Sequence, residues 1–110
     1  MAVSRIEIFK QMLESDPANT SVLFGLAKEY EKDGNDGEMI ATLQSYLEHA
    51  DDEGNAYGML ARAYERTNQR DAARASYERG MAAASAHGHP GMVEEYRVIL
   101  EDEYQKTPDV

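Results

Sequence analysis

An all-α fold is predicted by a helical pattern that occurs twice in the sequence. Its four positions are separated by three, one and three residues, which places four side chains on one face of an α-helix. The two copies are Leu23, Leu26, Ala27 and Tyr30, and then Tyr57, Leu60, Ala61 and Tyr64. The second copy begins 34 residues after the first. Each copy contains a small residue, alanine, at which another helix can come close.

A second helical stripe follows each copy in the same register. Its positions are Met39, Leu43, Tyr46 and Leu47, and then Ala73, Tyr77, Gly80 and Met81. The register also extends backwards by 34 residues, from Leu43, Tyr46 and Leu47 to Phe9, Met12 and Leu13. An internal period of this length predicts a stack of helix-turn-helix units, each of which buries its apolar face against its neighbours.

These residues resemble the tetratricopeptide repeat (TPR) family. The family signature is a large apolar residue, Leu and a small residue, an aromatic residue, a Gly at the turn, and then Ala and an aromatic residue on the second helix. The matching residues are Leu23-Leu26-Ala27-Tyr30-Gly34-Met39-Leu43 and Tyr57-Leu60-Ala61-Tyr64-Asn68-Ala73-Tyr77. Met39 and Tyr46 depart from the family, which usually has small residues there. The resemblance implies a short right-handed α-α superhelix of antiparallel helix pairs, a TPR-like fold of about six helices.

At 110 residues, the chain is expected to form one TPR-like domain over residues 1–106. In each pair of helices, we call the first the leading helix. The opening helix, residues 4–15, has Ile6, Phe9 and Leu13 on one side. Its register is that of a second helix, so we expect it to form half a repeat without a leading helix.

The first repeat is predicted over residues 20–53. Either Asn19 or Thr20 is expected to be the N-cap of its leading helix, because both side chains accept hydrogen bonds from free backbone amides. After the turn that begins at Gly34, Asp36 is expected to cap the second helix. That helix fades in the charged run Glu48-His49-Ala50-Asp51-Asp52-Glu53.

The second repeat is predicted over residues 54–87, where Asn68 and Asp71 resemble a capping box. Asn68 is also the equivalent of Gly34, and both residue types tolerate the left-handed conformation in which helices commonly end. Pro90 suits the first turn of a last helix, residues 90–105. The stripe of this helix, Val93, Tyr96 and Leu100, arrives two residues late. It is therefore predicted to be a capping helix, with a frayed tail at residues 107–110.

The charge of the chain restricts its partners. With 21 acidic and 11 basic residues, its formal net charge is −10, which argues against nucleic acid or an anionic membrane surface. Cysteine is absent, which excludes disulfides and thiolate sites. The N-terminus lacks the apolar run of a signal peptide, and no stretch is long enough to span a bilayer. We therefore expect a cytoplasmic protein.

The resemblance implies a concave groove lined by the leading helices, in which a protein or peptide partner binds. Side chains that packing does not use point into it: Phe24, Lys28, Lys32, Met59, Arg62 and Arg66. The cations offer donors to peptide carboxylates, while Phe24 and Met59 supply apolar anchors. The groove is thus predicted to bind an acidic or amphipathic segment. In the alternative, Lys28 with Glu31 and Arg62 with Glu65 are ordinary solvated helix-face pairs.

A second candidate site is the opening helix, which has apolar Ile8 and Met12 beside its main stripe. In later repeats, Thr42 and Ser76 take the place of Ile8. Homodimerisation through Ile8 and Met12 would cover these side chains. In the alternative, they fold back on the first repeat as a tight cap.

Enzymatic activity is not expected. Carboxylates lie along or near helix ends, and no pattern places two of them in an apolar cleft as general acid and base. His87-Gly88-His89 is a weak metal signal, since no third ligand has a recognisable spacing. No phosphate-binding Gly-rich loop occurs. The sequence therefore predicts no cofactor, no metal and no catalytic residue.

Overall fold

The computed structural model describes residues 4–104, which form six α-helices and a short π-helical segment. The helices are α1 (Arg5–Ser15), α2 (Thr20–Lys32), α3 (Asp36–His49), α4 (Asn55–Arg66), α5 (Arg70–Ala86) and α6 (Pro90–Ile99), and the π segment is Leu100–Tyr104. This part of the chain contains no β-strand, so the prediction of an all-α fold is confirmed. Gln105 and the predicted tail at 107–110 lie outside the described residues.

The helices form two compact units, Met1–Asp51 and Asp52–Val110. In the first unit, α2 packs against both α1 and α3. In the second unit, α5 packs against α4, α6 and the π segment. Within residues 4–104, no helix combines the length and apolar character that crossing a membrane requires.

The helix ends are fixed by side chains close by in the sequence. Of the two predicted N-caps of α2, Asn19 is the one observed, and it accepts a hydrogen bond from the Val22 amide at 3.2 Å. For α3 the prediction of Asp36 was wrong, because Asn35 is the N-cap and accepts from the Glu38 amide at 3.3 Å. Asparagine is a good N-cap because its short side chain accepts a hydrogen bond from a backbone amide two or three residues ahead.

The turn after α4 also differs from its prediction. Asn68 has a positive φ of 59°, as Gly34 does at 71°, so both residues adopt the left-handed conformation expected of them. The capping box was wrong, however: Gln69 is the N-cap of α5 and makes no side-chain capping bond. Asn68 has the left-handed conformation that ends α4, so it cannot also be the N-cap of α5. That position falls to the next residue, Gln69.

The core of the first unit lies on α2 and α3. The most buried side chains of these two helices are apolar: Val22, Leu23, Leu26, Ala27, Tyr30, Met39, Ile40 and Leu43. No described residue of α1 is buried to the same degree. The Phe9 ring packs against Gly25 so closely that a Cβ atom on Gly25 would lie 3.1 Å from it. This glycine therefore sets how near α1 comes to α2.

The core of the second unit is built around tyrosines. One cluster of its buried residues consists of Ala61, Ala73, Tyr77, Tyr96, Leu100 and Tyr104. The Tyr96 hydroxyl donates a hydrogen bond to the Gly54 carbonyl at 2.7 Å. A Cβ atom on Gly58 would lie 2.4 Å from that hydroxyl oxygen. A Cβ atom on Gly80 would lie 2.9 Å from both Tyr57 Cβ and Tyr96 Cε2. These two glycines therefore make the space that the Tyr96 ring fills.

We expect Gly80→Ala to lower the free energy of unfolding by about 1–3 kcal/mol, because its methyl group would overlap two tyrosine side chains. Gly91→Ala is the matched control in the same unit. A Cβ atom there meets nothing within 4 Å, so alanine should be neutral or stabilising by about 0.5 kcal/mol. Urea denaturation followed by circular dichroism measures both. Equal stability of the two variants would contradict the packing described here.

Candidate protein-binding surfaces

An aromatic pair lies at the surface of the first unit. The ring centroids of Phe24 on α2 and Tyr46 on α3 are 5.3 Å apart, at an angle of 50°. Both side chains are half-buried, and with Thr20 and Ser21 they line an open pocket of about 340 Å³. Phe24 was among the predicted groove residues. Tyr46 was not predicted as a site residue. The sequence did contain a signal, because a large residue stands there at a position where the family usually has a small one.

Lys28 and Lys32 are exposed, as predicted, and both have carboxylate partners. Lys28 Nζ lies 3.5 Å from Glu31 Oε1, and Lys32 Nζ lies 3.7 Å from Glu29 Oε2. The same Glu29 oxygen lies 3.5 Å from Arg5 Nε. Exposed pairs of this kind contribute only about 0–1 kcal/mol each, so another carboxylate can compete for these cations. An ammonium group also has three donors, of which one partner uses only part.

The structure corrects the assignment of Met59 as an apolar anchor. Its side chain is only 3% exposed, and the same helix also buries Ala56, Gly58, Leu60, Ala61 and Ala63. Most of the circumference of α4 is buried. Met59 is therefore buried too, although the repeat pattern does not assign it to packing. The cations predicted on α4, Arg62 and Arg66, are exposed. They lie one helical turn apart.

Glu65 stands between these two arginines in the sequence and makes two hydrogen bonds to tyrosines. Its carboxylate accepts from the Tyr77 hydroxyl at 3.1 Å and from the Tyr104 hydroxyl at 2.6 Å. The Arg70 guanidinium lies 4.5 Å from the centroid of the Tyr104 ring and donates to the Glu103 carbonyl. The end of α4 is thereby tied to both α5 and the π segment. Sequence alone indicated only an ion pair between Glu65 and Arg62.

These contacts hold protons on the two tyrosines. Burial, and then the hydrogen bond and negative charge of Glu65, raise the pKa of Tyr104 to about 12. Burial followed by the Glu65 charge also raises the pKa of Tyr77. Burial is the main reason that the pKa of Tyr96 lies above its ordinary value. The phenol groups therefore remain hydrogen-bond donors to a higher pH than an exposed tyrosine does.

The opening helix α1 presents two apolar side chains to solvent. Ile8 is 43% exposed and Met12 is 45% exposed. The tight cap considered as an alternative is therefore wrong, because Ile6, Phe9 and Leu13 occupy the side of α1 that is half-buried. Ile8 and Met12 lie on another side of the same helix, which packing within the first unit leaves exposed.

The loop that contains His87 and His89 is not arranged as a metal site. His89 Nε2 lies 2.5 Å from Glu53 Oε1, and this contact connects the loop before α4 to the start of α6. Across residues 4–104, no group of three or more His, Asp or Glu side chains is placed to hold a metal ion.

Comparison with known proteins identifies the repeat. Residues 54–87 match the family model described as "Tetratricopeptide repeat". Among solved structures, a chain titled "Crystal structure of MamA" is similar over 89% of this chain, with a TM-score of 0.68 and 22% sequence identity. The aligned part spans 66% of that chain. No curated protein matches in a sequence search. The TPR resemblance and the TPR-like fold predicted from the sequence are therefore confirmed.

We expect Glu65→Gln to lower the pKa of Tyr104 from about 12 toward 10.0, but not to reach it, because burial remains after the charge is removed. Carbon-13 NMR of labelled tyrosine rings across pH measures this pKa, and Tyr96 serves as the internal control.

A raised pKa means that the folded protein holds the proton more tightly than the unfolded chain. The stabilisation by Tyr104 is therefore complete below pH 10.0 and is lost as the pH rises through about 12. In Glu65→Gln this alkaline loss should be smaller. A Tyr104 pKa that is identical in the wild type and Glu65→Gln would contradict the assigned contact.

Proposed function

Because the chain carries a tetratricopeptide repeat at residues 54–87, we propose that it is a non-enzymatic protein-interaction module that binds acidic or amphipathic peptide segments. The binding surfaces are the exposed faces of its leading helices, α2 and α4. TPR proteins are in general scaffolds that bind other proteins, and the described helices fit that role. The exposed side chains of α2 and α4 determine which kind of peptide segment is bound.

The observation that carries this proposal is the aromatic pocket with a cation one helical turn away. Phe24 and Tyr46 frame the pocket, and Lys28 follows Phe24 by four residues on α2. Half-exposed aromatic rings are effective anchors, because they offer a large rigid area to an apolar side chain. A lysine one helical turn from Phe24 then selects for a carboxylate by a charge-assisted hydrogen bond.

The spacing specifies the peptide. Four residues of helix rise about 6 Å, and two residues of an extended peptide rise about 6.8 Å. Alternate side chains of an extended peptide also point to the same face. An apolar residue in the pocket therefore places an Asp or Glu two positions away beside Lys28. On α4, Arg62 and Arg66 have the same four-residue separation and suit two carboxylates two positions apart, since guanidinium groups bind carboxylates in a bidentate manner.

Apolar contact has to accompany these charges. The protein has a net charge of −10 and repels an acidic ligand at long range, although salt at about 0.15 M screens that repulsion beyond about 8 Å. Cations within contact distance are less affected by screening. Selectivity therefore comes from the cations and much of the affinity from the aromatic pocket.

We expect peptides selected from a random display library by the wild type to contain an apolar residue two positions from an Asp or Glu. Lys28→Glu should lose the acidic preference and bind a selected peptide about 10-fold more weakly, because attraction becomes repulsion. Arg62→Glu should likewise reduce selection of paired carboxylates. Calorimetry with the selected peptides gives the affinities.

Lys10→Glu is the matched control for the total charge, because Lys10 is exposed on α1 and its substitution changes the net charge equally. It should select the same peptides as the wild type. Enrichment of basic peptides, or identical selections by the wild type, Lys28→Glu and Arg62→Glu, would overturn the proposal.

Self-association through α1 is a second candidate function. The observation that favours it is the exposure of Ile8 and Met12, which are 43% and 45% exposed on one side of the helix. Apolar side chains that are one turn apart form a continuous ridge, and a second protein surface that covers this ridge gains hydrophobic stabilisation.

We expect Ile8→Glu to shift a wild-type dimer toward monomer, because it places a charge in the apolar contact. Val98→Glu is the matched control, since Val98 is 41% exposed on α6 and the change in charge is the same. Sedimentation velocity at concentrations from roughly 10 µM to 1 mM covers the range of a weak interface. A wild type that remains monomeric throughout would exclude this function.

A further inference from the structure

The exposed side of α1 corresponds to a surface that is covered in the other helix pairs. In the repeat register, Met12 is equivalent to Tyr46 in α3 and to Gly80 in α5. Tyr46 contacts Phe24 of its leading helix α2, and Gly80 lies against Tyr57 of its leading helix α4. Each of these second helices therefore contacts its own leading helix at this position. In α1, the same position is 45% exposed.

We propose that a second copy of this chain covers this surface, with the two α1 helices packed antiparallel about a two-fold axis. In this arrangement Ile8 of each copy meets Met12 of the other, and Arg5 of each copy lies beside Asp16 of the other. The inference rests on the second candidate function, self-association, and specifies its geometry.

The charges at the two ends of α1 select the antiparallel arrangement. Arg5 begins the helix and Asp16 is its C-cap, so the cation and the anion lie about 16 Å apart on either side of the Ile8 and Met12 ridge. Parallel helices would place Arg5 against Arg5 and Asp16 against Asp16. Antiparallel helices instead bring opposite charges together twice, once at each end. Their macrodipoles also oppose each other, which is favourable.

Arg5 is able to make this contact without losing its present partners. Its side chain is 70% exposed, its Nε lies 3.5 Å from Glu29 Oε2, and its guanidinium carbon lies 5.5 Å from the centroid of the Phe9 ring. A guanidinium group has five donors in a planar fork, so the terminal nitrogens remain able to donate to Asp16 of the second copy. Asp16 is itself exposed.

The expected dimer is weak. Four apolar side chains and two exposed ion pairs cover much less than the roughly 1,200 Å² of a small stable interface, so the dissociation constant should be micromolar or higher. The contact is isologous, meaning that both copies use the same surface. It therefore closes at two copies and forms no chain of subunits.

Charge exchange tests this geometry, with the dimer constant measured by sedimentation equilibrium on the full chain. Arg5→Glu and Asp16→Arg should each weaken the dimer about 5- to 30-fold, because each replaces two symmetric attractions with repulsions. The double variant restores opposite charges and should return the constant to within about threefold of the wild type. Arg5→Gln, which removes the cation without repulsion, should fall between the wild type and Arg5→Glu. Circular dichroism verifies that each variant is folded.

The outcomes separate the geometry from the self-association on which it rests. If Ile8→Glu splits the dimer but the charge exchange fails to restore binding, the antiparallel arrangement is overturned and self-association through α1 stands. If the wild type is monomeric at 1 mM, or if Ile8→Glu leaves the dimer intact, both are overturned. Recovery in the double variant alone supports the antiparallel pair.

Discussion

The close approach of an aromatic ring to a glycine is the constraint on which packing in both units depends. Gly25 lets the Phe9 ring bring α1 against α2, and Gly58 and Gly80 make the space for the Tyr96 ring. A Cβ atom at Gly58 or Gly80 would overlap the Tyr96 side chain. A Cβ atom at Gly25 would crowd the Phe9 ring, so residue size decides how closely these helices pack. Interiors at native density tolerate added atoms poorly, so this constraint is strict.

Hydrogen bonds then hold the aromatic rings in the positions that the glycines make possible. The hydroxyl of Tyr96 reaches a backbone carbonyl, and those of Tyr77 and Tyr104 share the Glu65 carboxylate. Each ring is thereby buried without an unpaired hydroxyl, which would carry a free-energy cost. The same arrangement holds the π segment against α5. It uses the Glu65 carboxylate for structure.

The sequence predicted the parts of the structure that depend on local pattern. Helical periodicity gave the stripes, and equivalence to Gly34 gave the left-handed turn at Asn68. The errors arose where burial or hydrogen bonding depends on residues that are distant in the sequence. The burial of Met59 depends on what surrounds α4, and the tyrosine bonds of Glu65 depend on a residue 39 positions away. In the candidate site, Phe24 and the neighbouring lysines were predicted. The part played by Tyr46 could not be, because it depends on how close α3 lies to α2.

The central functional claim is that the exposed face of α2 binds an acidic or amphipathic peptide at Phe24, Tyr46 and Lys28. Nitrogen-15 NMR of the labelled protein, titrated with a peptide that has Leu two positions before Glu, tests this claim most directly. The account predicts that the largest shift changes in the first unit occur at these residues and at the neighbouring Thr20 and Ser21. Changes confined to α1 or α5, or no saturable change at millimolar peptide, would contradict it.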